Sequence, residues 1–225
     1  MATFGEQIQA LTGFPAETGT TSLINDETGQ TLANTWLTEG TKEIINLLPP
    51  NLKEKCMTIT NLYIDNVNTT FNMNDASQVM HVTRKNADSG YFVPCRKVSA
   101  MNGDLTNDSS NIMHYATATD PAHWIESNSS DVATLFVKPI PTALQPAKVY
   151  HISYPTISYA LGSISNFPNE AEYLVVLYAA IKAIEYLMLT EEDQEVYAPQ
   201  LATLKQDYGQ GITILKGGKK WHLMN

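Results

Sequence analysis

Apolar residues at Phe4, Ile8 and Leu11 recur at helical spacing until Gly13, Phe14 and Pro15 interrupt them, which predicts a short amphipathic helix at the start of the chain. A longer helix is predicted from Asn25 or Asp26, both good N-cap types. Its apolar positions Ala33, Leu37, Gly40, Ile44 and Leu47 or Leu48 step by three and four along one face, and Pro49-Pro50 stops it. From residue 52 to about 165 the period changes. The runs CMTITNLYI, SQVMHVTR, GYFVPCRKV, NIMHYATA, ATLFVKPIP and AKVYHISYP are short and rich in β-branched and aromatic residues. Clusters such as Asn66-Val67-Asn68, Asp88-Ser89-Gly90 and Asn102-Gly103-Asp104 separate them, which predicts a small antiparallel sandwich or open barrel. Pro94, Pro139 and Pro141 fall inside two of these stretches and mark them as edge or bulged strands.

Helical spacing returns at 166 to 215. Asn169 with Glu172 suits a capping box, and a second helix is expected to open at Thr190 with Glu191, Glu192 and Asp193 in its first turn. Pro199 predicts a kink or break, beyond which Leu201, Leu204, Tyr208, Ile212 and Leu215 continue the stripe. The reading is therefore an α+β chain. A helical core is built from an N-terminal segment (1–50) and a C-terminal hairpin (166–215), with an inserted β-rich domain at 52–165. The end, 216–225, reads KGGKKWHLMN and is expected to be a flexible docking tail.

Composition narrows the classes. Of the 225 residues 43% are apolar and only 16% charged, so the chain folds with a surface that leans on uncharged polar groups, among them 24 Thr and 17 Asn. A net charge of −9 argues against a general nucleic-acid binder. MATFGEQIQALTGF lacks the basic and apolar regions of a signal peptide, and no uncharged apolar run approaches the roughly 20 residues of a membrane span. A soluble protein without membrane contact is expected. Cys56 and Cys95 lack CxxC spacing and read as two buried free thiols.

No phosphate-binding glycine loop or nucleophile elbow is present, and the histidines at 81, 114, 123, 151 and 222 lack metal-binding spacing. His81 and His151 read as satisfied strand histidines. Asp120, His123 and Glu126 lie close together in ATATDPAHWIES, but nothing supplies a nucleophile or an oxyanion hole. The basic pairs Arg84-Lys85 and Arg96-Lys97 read as a solvated face. Neither an enzyme nor a cofactor or metal protein is expected.

One stretch resists the picture of a small monomer. From Tyr173 to Ile181 nine residues run without a charge, so this helix has almost no wet face. Either an intrachain core covers it on several sides or a neighbouring subunit does, as in rings whose helices pack between protomers. Tyr173, Val176, Leu177 and Ile181 are the candidate subunit contacts. Lys216, Lys219, Lys220, Trp221, Leu223 and Met224 form a second candidate interface: charge would guide the tail to a partner and apolar residues would anchor it.

The helical start, the β-rich middle and NFPNEAEYLVVLYAAIKAIEYLM leading into LKQDYGQGI resemble the head-to-tail adaptor (neck or connector) proteins of tailed bacteriophages. LTEGTKEIINLLPP, VTRKNADSGYFVPCRKVS, ATATDPAHWIES, LFVKPIP and VYHISYPT add to the likeness, so it spans nearly the whole chain. The resemblance implies a homo-oligomeric ring, commonly of twelve subunits, assembled in the host cytoplasm and lodged in the virion neck. It would sit beneath the portal protein, meet a tail or nozzle protein below, and let double-stranded DNA pass through. A tail or decoration protein whose β-domain binds a partner or glycan is the alternative.

Overall fold

In the computed structural model the described residues are 2–12, 27–63, 69–73, 78–127, 133–190 and 194–217. They form two compact units, a helical one from residues 1–56 and 154–225 and a β one, Met57–Ser153. The fold is α+β, with a two-sheet insertion in a helical frame.

The helical unit contains α1 (Phe4–Thr12), α2 (Glu27–Leu47), the single turn α3 (Pro50–Lys53), α4 (Asn169–Thr190) and α5 (Gln194–Leu215). Helix α4 answers the question its sequence raises, because α1, α2 and α5 all pack against it. Ala171, Val175, Val176, Ala179, Ala180 and Ile184 are fully buried. The predicted stripe of α2 points the same way, with Ala33, Leu37, Ile44 and Leu48 all in the core. Gly40 continues that stripe for a steric reason, since a Cβ there would stand 2.8 Å from Tyr178 Cδ1 on α4.

Four details depart from expectation. Thr190, expected to open the second hairpin helix, is the last residue of α4, and α5 begins at Gln194, while Glu191, Glu192 and Asp193 lie outside the described residues. Glu172 does not close a capping box on Asn169; its carboxylate accepts a hydrogen bond from Ile164 N at 2.7 Å, tying down the segment before the helix. Helix α5 runs on through Pro199 without a break. Pro199 stands near its start on an exposed side, so the freed carbonyl of Glu195 can turn to water. Residues 154–165, expected in the β-domain, belong to the helical unit. Their backbone is held by helix side chains and ends: Ile157 N donates to Thr38 Oγ1, Tyr159 N to Asn34 Oδ1, and Phe4 N to Leu161 O.

The β unit contains β1 (Met57–Leu62), β2 (Thr70–Asn72), β3 (Gln78–Lys85), β4 (Phe92–Pro94), β5 (Arg96–Lys97), β6 (Ala122–Ser127), β7 (Ala133–Lys138) and β8 (Ala147–Ile152). One antiparallel sheet has the order β1-β8-β3-β4 and the other β2-β7-β6-β5, in which only β5 and β6 are parallel. Period-2 alternation sends Leu62, Val82, Val149, Phe71, Leu135 and Val137 from both sheets into one core, which makes it a sandwich. Pro94 sits on an edge strand as predicted, while Pro139 and Pro141 fall just past the end of β7. NIMHYATA is not a strand. Residues 98–121 form a long connection with short 3-10 turns at Ala100–Asn102 and Asp104–Asn107, and Ile112 and Met113 point to solvent. Arg96 fixes this connection by donating from Nη2 to the carbonyls of His114 and Tyr115.

Candidate interaction surfaces

The register of the strands places three connections at one end of the sandwich. Arg84 pairs with Ala147 and Lys85 with Phe92, so the β3–β4 tip and the start of β8 are neighbours. Ala122 pairs with Lys138, which brings the end of the 98–121 connection beside the β7–β8 loop. The chain enters and leaves the unit at the other end, where Met57 pairs with Ile152. The loop end is apolar and wet at once. Tyr91 is 76% exposed, Leu144 82% and Ile140 51%, and Ile112 and Met113 on the 98–121 connection are exposed above 80%; Met101, also exposed, sits on the turn beside β6 instead.

Beneath these loops lies a charge that the sequence reading put on the surface. Val82 and Arg84 share the inward face of β3, and Arg84 is 2% exposed. Its Nη2 donates to the side-chain oxygen of Gln145 and, at 3.4 Å, to the carbonyl of Ile140; Nη1 reaches the Lys85 carbonyl at 3.4 Å. Nε has no partner among the described residues, and no described carboxylate forms an ion pair with the guanidinium. Burial lowers its pKa from the usual guanidinium value, partly offset by Cys95. Lys148 stands with Nζ 4.2 Å from the Phe92 ring centre, and neither it nor Lys85 has a carboxylate partner among the described residues. The other basic pair divides differently, because Arg96 Nε bonds Asp120 at 2.8 Å.

Elsewhere in the β unit a cleft of about 490 Å³ opens beside β3, β4, β5 and β6, lined among others by Met73, Met80, His81, Lys97, His123 and Ile125. His123 is buried, its Nδ1 lies 3.1 Å from the Cys95 carbonyl, and burial holds its pKa below the usual imidazole value. Asp120, His123 and Glu126, close in sequence, do not converge on one site. Asp120 is held by Arg96, and Glu126 stands at the side of Trp124, whose Nε1 donates to it at 3.4 Å, while strand alternation turns His123 to the opposite face. His151 is a core residue with Nε2 2.9 Å from Thr60 Oγ1, Nδ1 3.1 Å from Ser153 Oγ and its ring against Phe71. Cys56 and Cys95 are free and buried, and burial raises their pKa values to about 11 and about 12. A thiol so poorly ionised is a packing group. No cluster of three or more His, Cys, Asp or Glu suited to a metal occurs among the described residues. No described helix is long and apolar enough to cross a membrane.

The predicted helix contacts need correction. Val176, Leu177 and Ile181 are 0%, 1% and 7% exposed, so the chain covers them with its own helices and leaves no free face there for a neighbour. Tyr173 is 53% exposed and remains available. Two apolar residues that the sequence reading passed over flank the α4–α5 connection in the open, Leu189 at 84% and Val196 at 69%. Their signal was visible, since each stands off the apolar stripe of its helix. In the tail only Lys216 and Gly217 are described; Lys216 is exposed, one residue before Gly217 with its φ of +84°. Lys219, Lys220, Trp221, Leu223 and Met224 lie outside the described residues. No family model matches this chain, and no curated protein matches it.

Proposed function

We propose that this chain is a virion structural protein of a tailed bacteriophage, an adaptor ring in the neck between the portal and a tail or nozzle protein. The observation that carries the reading is the gathering of exposed apolar side chains on the loops at one end of the sandwich, away from where the chain enters and leaves that unit. Apolar groups concentrated in this way mark surfaces that another protein covers. The likeness of sequence stretches along nearly the whole chain to neck adaptors supplies the kind of partner. The work of such a protein is assembly rather than catalysis: subunits join into a ring, commonly twelve-fold, one surface meets the portal and another the tail. The chain's net charge of −9 suits a conduit wall that a passing DNA duplex must not adhere to. It acts in the virion neck after assembly in the host cytoplasm, without a cofactor. Imaging the native particle with an epitope appended to Met1 tests the proposal. Label at the head–tail junction is expected; label on the capsid surface or on fibres overturns it.

The cleft beside β3 and β6 favours a second reading, a tail or decoration protein whose sandwich binds a partner or glycan. The same labelled particles separate the two.

A further inference from the structure

We infer that the cleft beside β3 seats an extended segment of a partner protein as an added strand, with an acidic side chain of that segment set against Lys97 and apolar ones beside it. The inference goes beyond the ring reading and does not depend on it, since it concerns a single copy. Gln78, Val79, Met80, His81 and Val82 all line the cleft. Side chains of a strand alternate between its two faces, so five consecutive residues meet one space only along the strand's edge. That edge is open. On one side β3 pairs with β8 from Gln78 to Arg84, but on the other β4 pairs with it only from Thr83 to Lys85. There the chain leaves the first sheet: Cys95 N donates to the Val82 carbonyl at 2.8 Å, and Arg96 already belongs to the second sheet. Among the described residues no strand continues the ladder along Gln78–His81. The second sheet is short on the same side, because β5 pairs with β6 only at Ala122 and His123. A β-bulge between Val79 and His81 breaks the regularity of the open edge, which limits a guest strand to a short segment.

The lining sets what the cleft recognises. Met73, Val79, Met80 and Ile125 supply apolar contact, and methionines adapt to side chains of different shape. Lys97 supplies charge on the β5 wall; it is exposed and has no carboxylate partner among the described residues. His81 stands exposed on the β3 wall, and no Asp or Glu lines the cleft, so its charge is complementary to a carboxylate. No Tyr, Trp or Phe lines it either, so the flat platform on which sugars stack is missing. A strand edge without a partner, beside apolar side chains and a free cation, is the arrangement that captures an extended acidic peptide.

Selection of a displayed library of short random peptides on the full chain tests this, with a panel of free oligosaccharides screened beside it. Selected peptides are expected to share an Asp or Glu among apolar residues and, once synthesised, to slow amide hydrogen exchange at Gln78–His81. Methylation of the peptide's backbone nitrogens separates strand addition from side-chain docking. Methyl groups on one alternate set should abolish binding and those on the other set should leave it, because only every second N–H of an added strand faces β3. Lys97→Glu should weaken the same peptides at least about tenfold while Lys97→Arg retains them, and melting curves confirm that both variants fold. A selection that yields no peptide, peptides that bind Lys97→Glu equally well, or binding that tolerates methylation at every position overturns the added strand. So does an oligosaccharide that protects Gln78–His81 where no peptide does.

Discussion

Val176 is 0% exposed on the helix that three others surround, so no water can follow a charge into that position. Val176→Asp places a carboxylate among alkyl groups without a partner, a change of about 3–5 kcal/mol, enough to unfold most domains of this size. A purified variant with no cooperative thermal transition is the expected result, and a melt within a few degrees of wild type would refute the packing of α4. His123 offers a milder test with a defined sign. Its folded pKa lies below the usual imidazole value of about 6.5, so between the two the unfolded chain binds a proton that the folded chain does not. Its contribution to stability is complete above about pH 6.5 and is lost as the pH falls. His123→Asn keeps a donor for the Cys95 carbonyl and removes the titration. The wild type should therefore lose more melting temperature between pH 7.5 and 5.0 than the variant loses; equal losses would mean that His123 is not titrating against its burial.

Helices α2 and α4 were legible from sequence to within a residue or two, because burial fixes their faces and left no other register, whereas the helix expected from Thr190 begins at Gln194. Strands β1, β3, β7 and β8 were legible for the same reason at period 2. The connection at 98–121 was not. NIMHYATA carries apolar and β-branched residues of strand type, yet its shape is set by Arg96, a residue outside the run whose guanidinium gathers the carbonyls of His114 and Tyr115. The surface site was half legible, since burial of Arg84 follows from its alternation with Val82, whereas its missing carboxylate depends on which loop folds over it. Two helix glycines show how packing decides what propensity alone cannot. Gly209 on α5 has nothing within 4 Å of a Cβ, so Gly209→Ala should raise stability by about 0.5–1 kcal/mol through helix propensity. Gly40→Ala gains the same propensity but drives its Cβ against Tyr178 close to the ring's attachment, where the side chain cannot swing clear. Overpacking of about 1–3 kcal/mol should win, and its melting temperature should fall. Chemical denaturation of both variants checks the opposite signs, and two shifts in the same direction would contradict the α2–α4 contact.

At the scale of the whole molecule the tail and the insertion can be removed separately. Truncation after Leu215 deletes Lys216, which is exposed, together with Lys219, Lys220, Trp221, Leu223 and Met224, and a docking role for this segment predicts an unchanged melt. If the tail is a docking peptide, complementation with the truncated chain yields filled heads without tails; infectious particles would exclude that role. The insertion asks a deeper question, because α2 and α4 lie on either side of it in the sequence and yet pack together. Each unit has its own core: the β unit closes around Leu62, Leu135 and Val149, and the helical unit around α4. The two ends of the insertion also start close together, since Met57 and Ile152 are paired neighbours across β1 and β8. Replacing residues 57–153 by a short Gly/Ser linker therefore costs little more than closing a short loop, on the order of 1–3 kcal/mol, and removes no helix. A separable frame predicts that the deleted chain keeps a strong helical far-UV spectrum and melts cooperatively. A fragment without helix would mean that the insertion is required to bring α2 onto α4, and that the helical frame cannot form until the sandwich has folded.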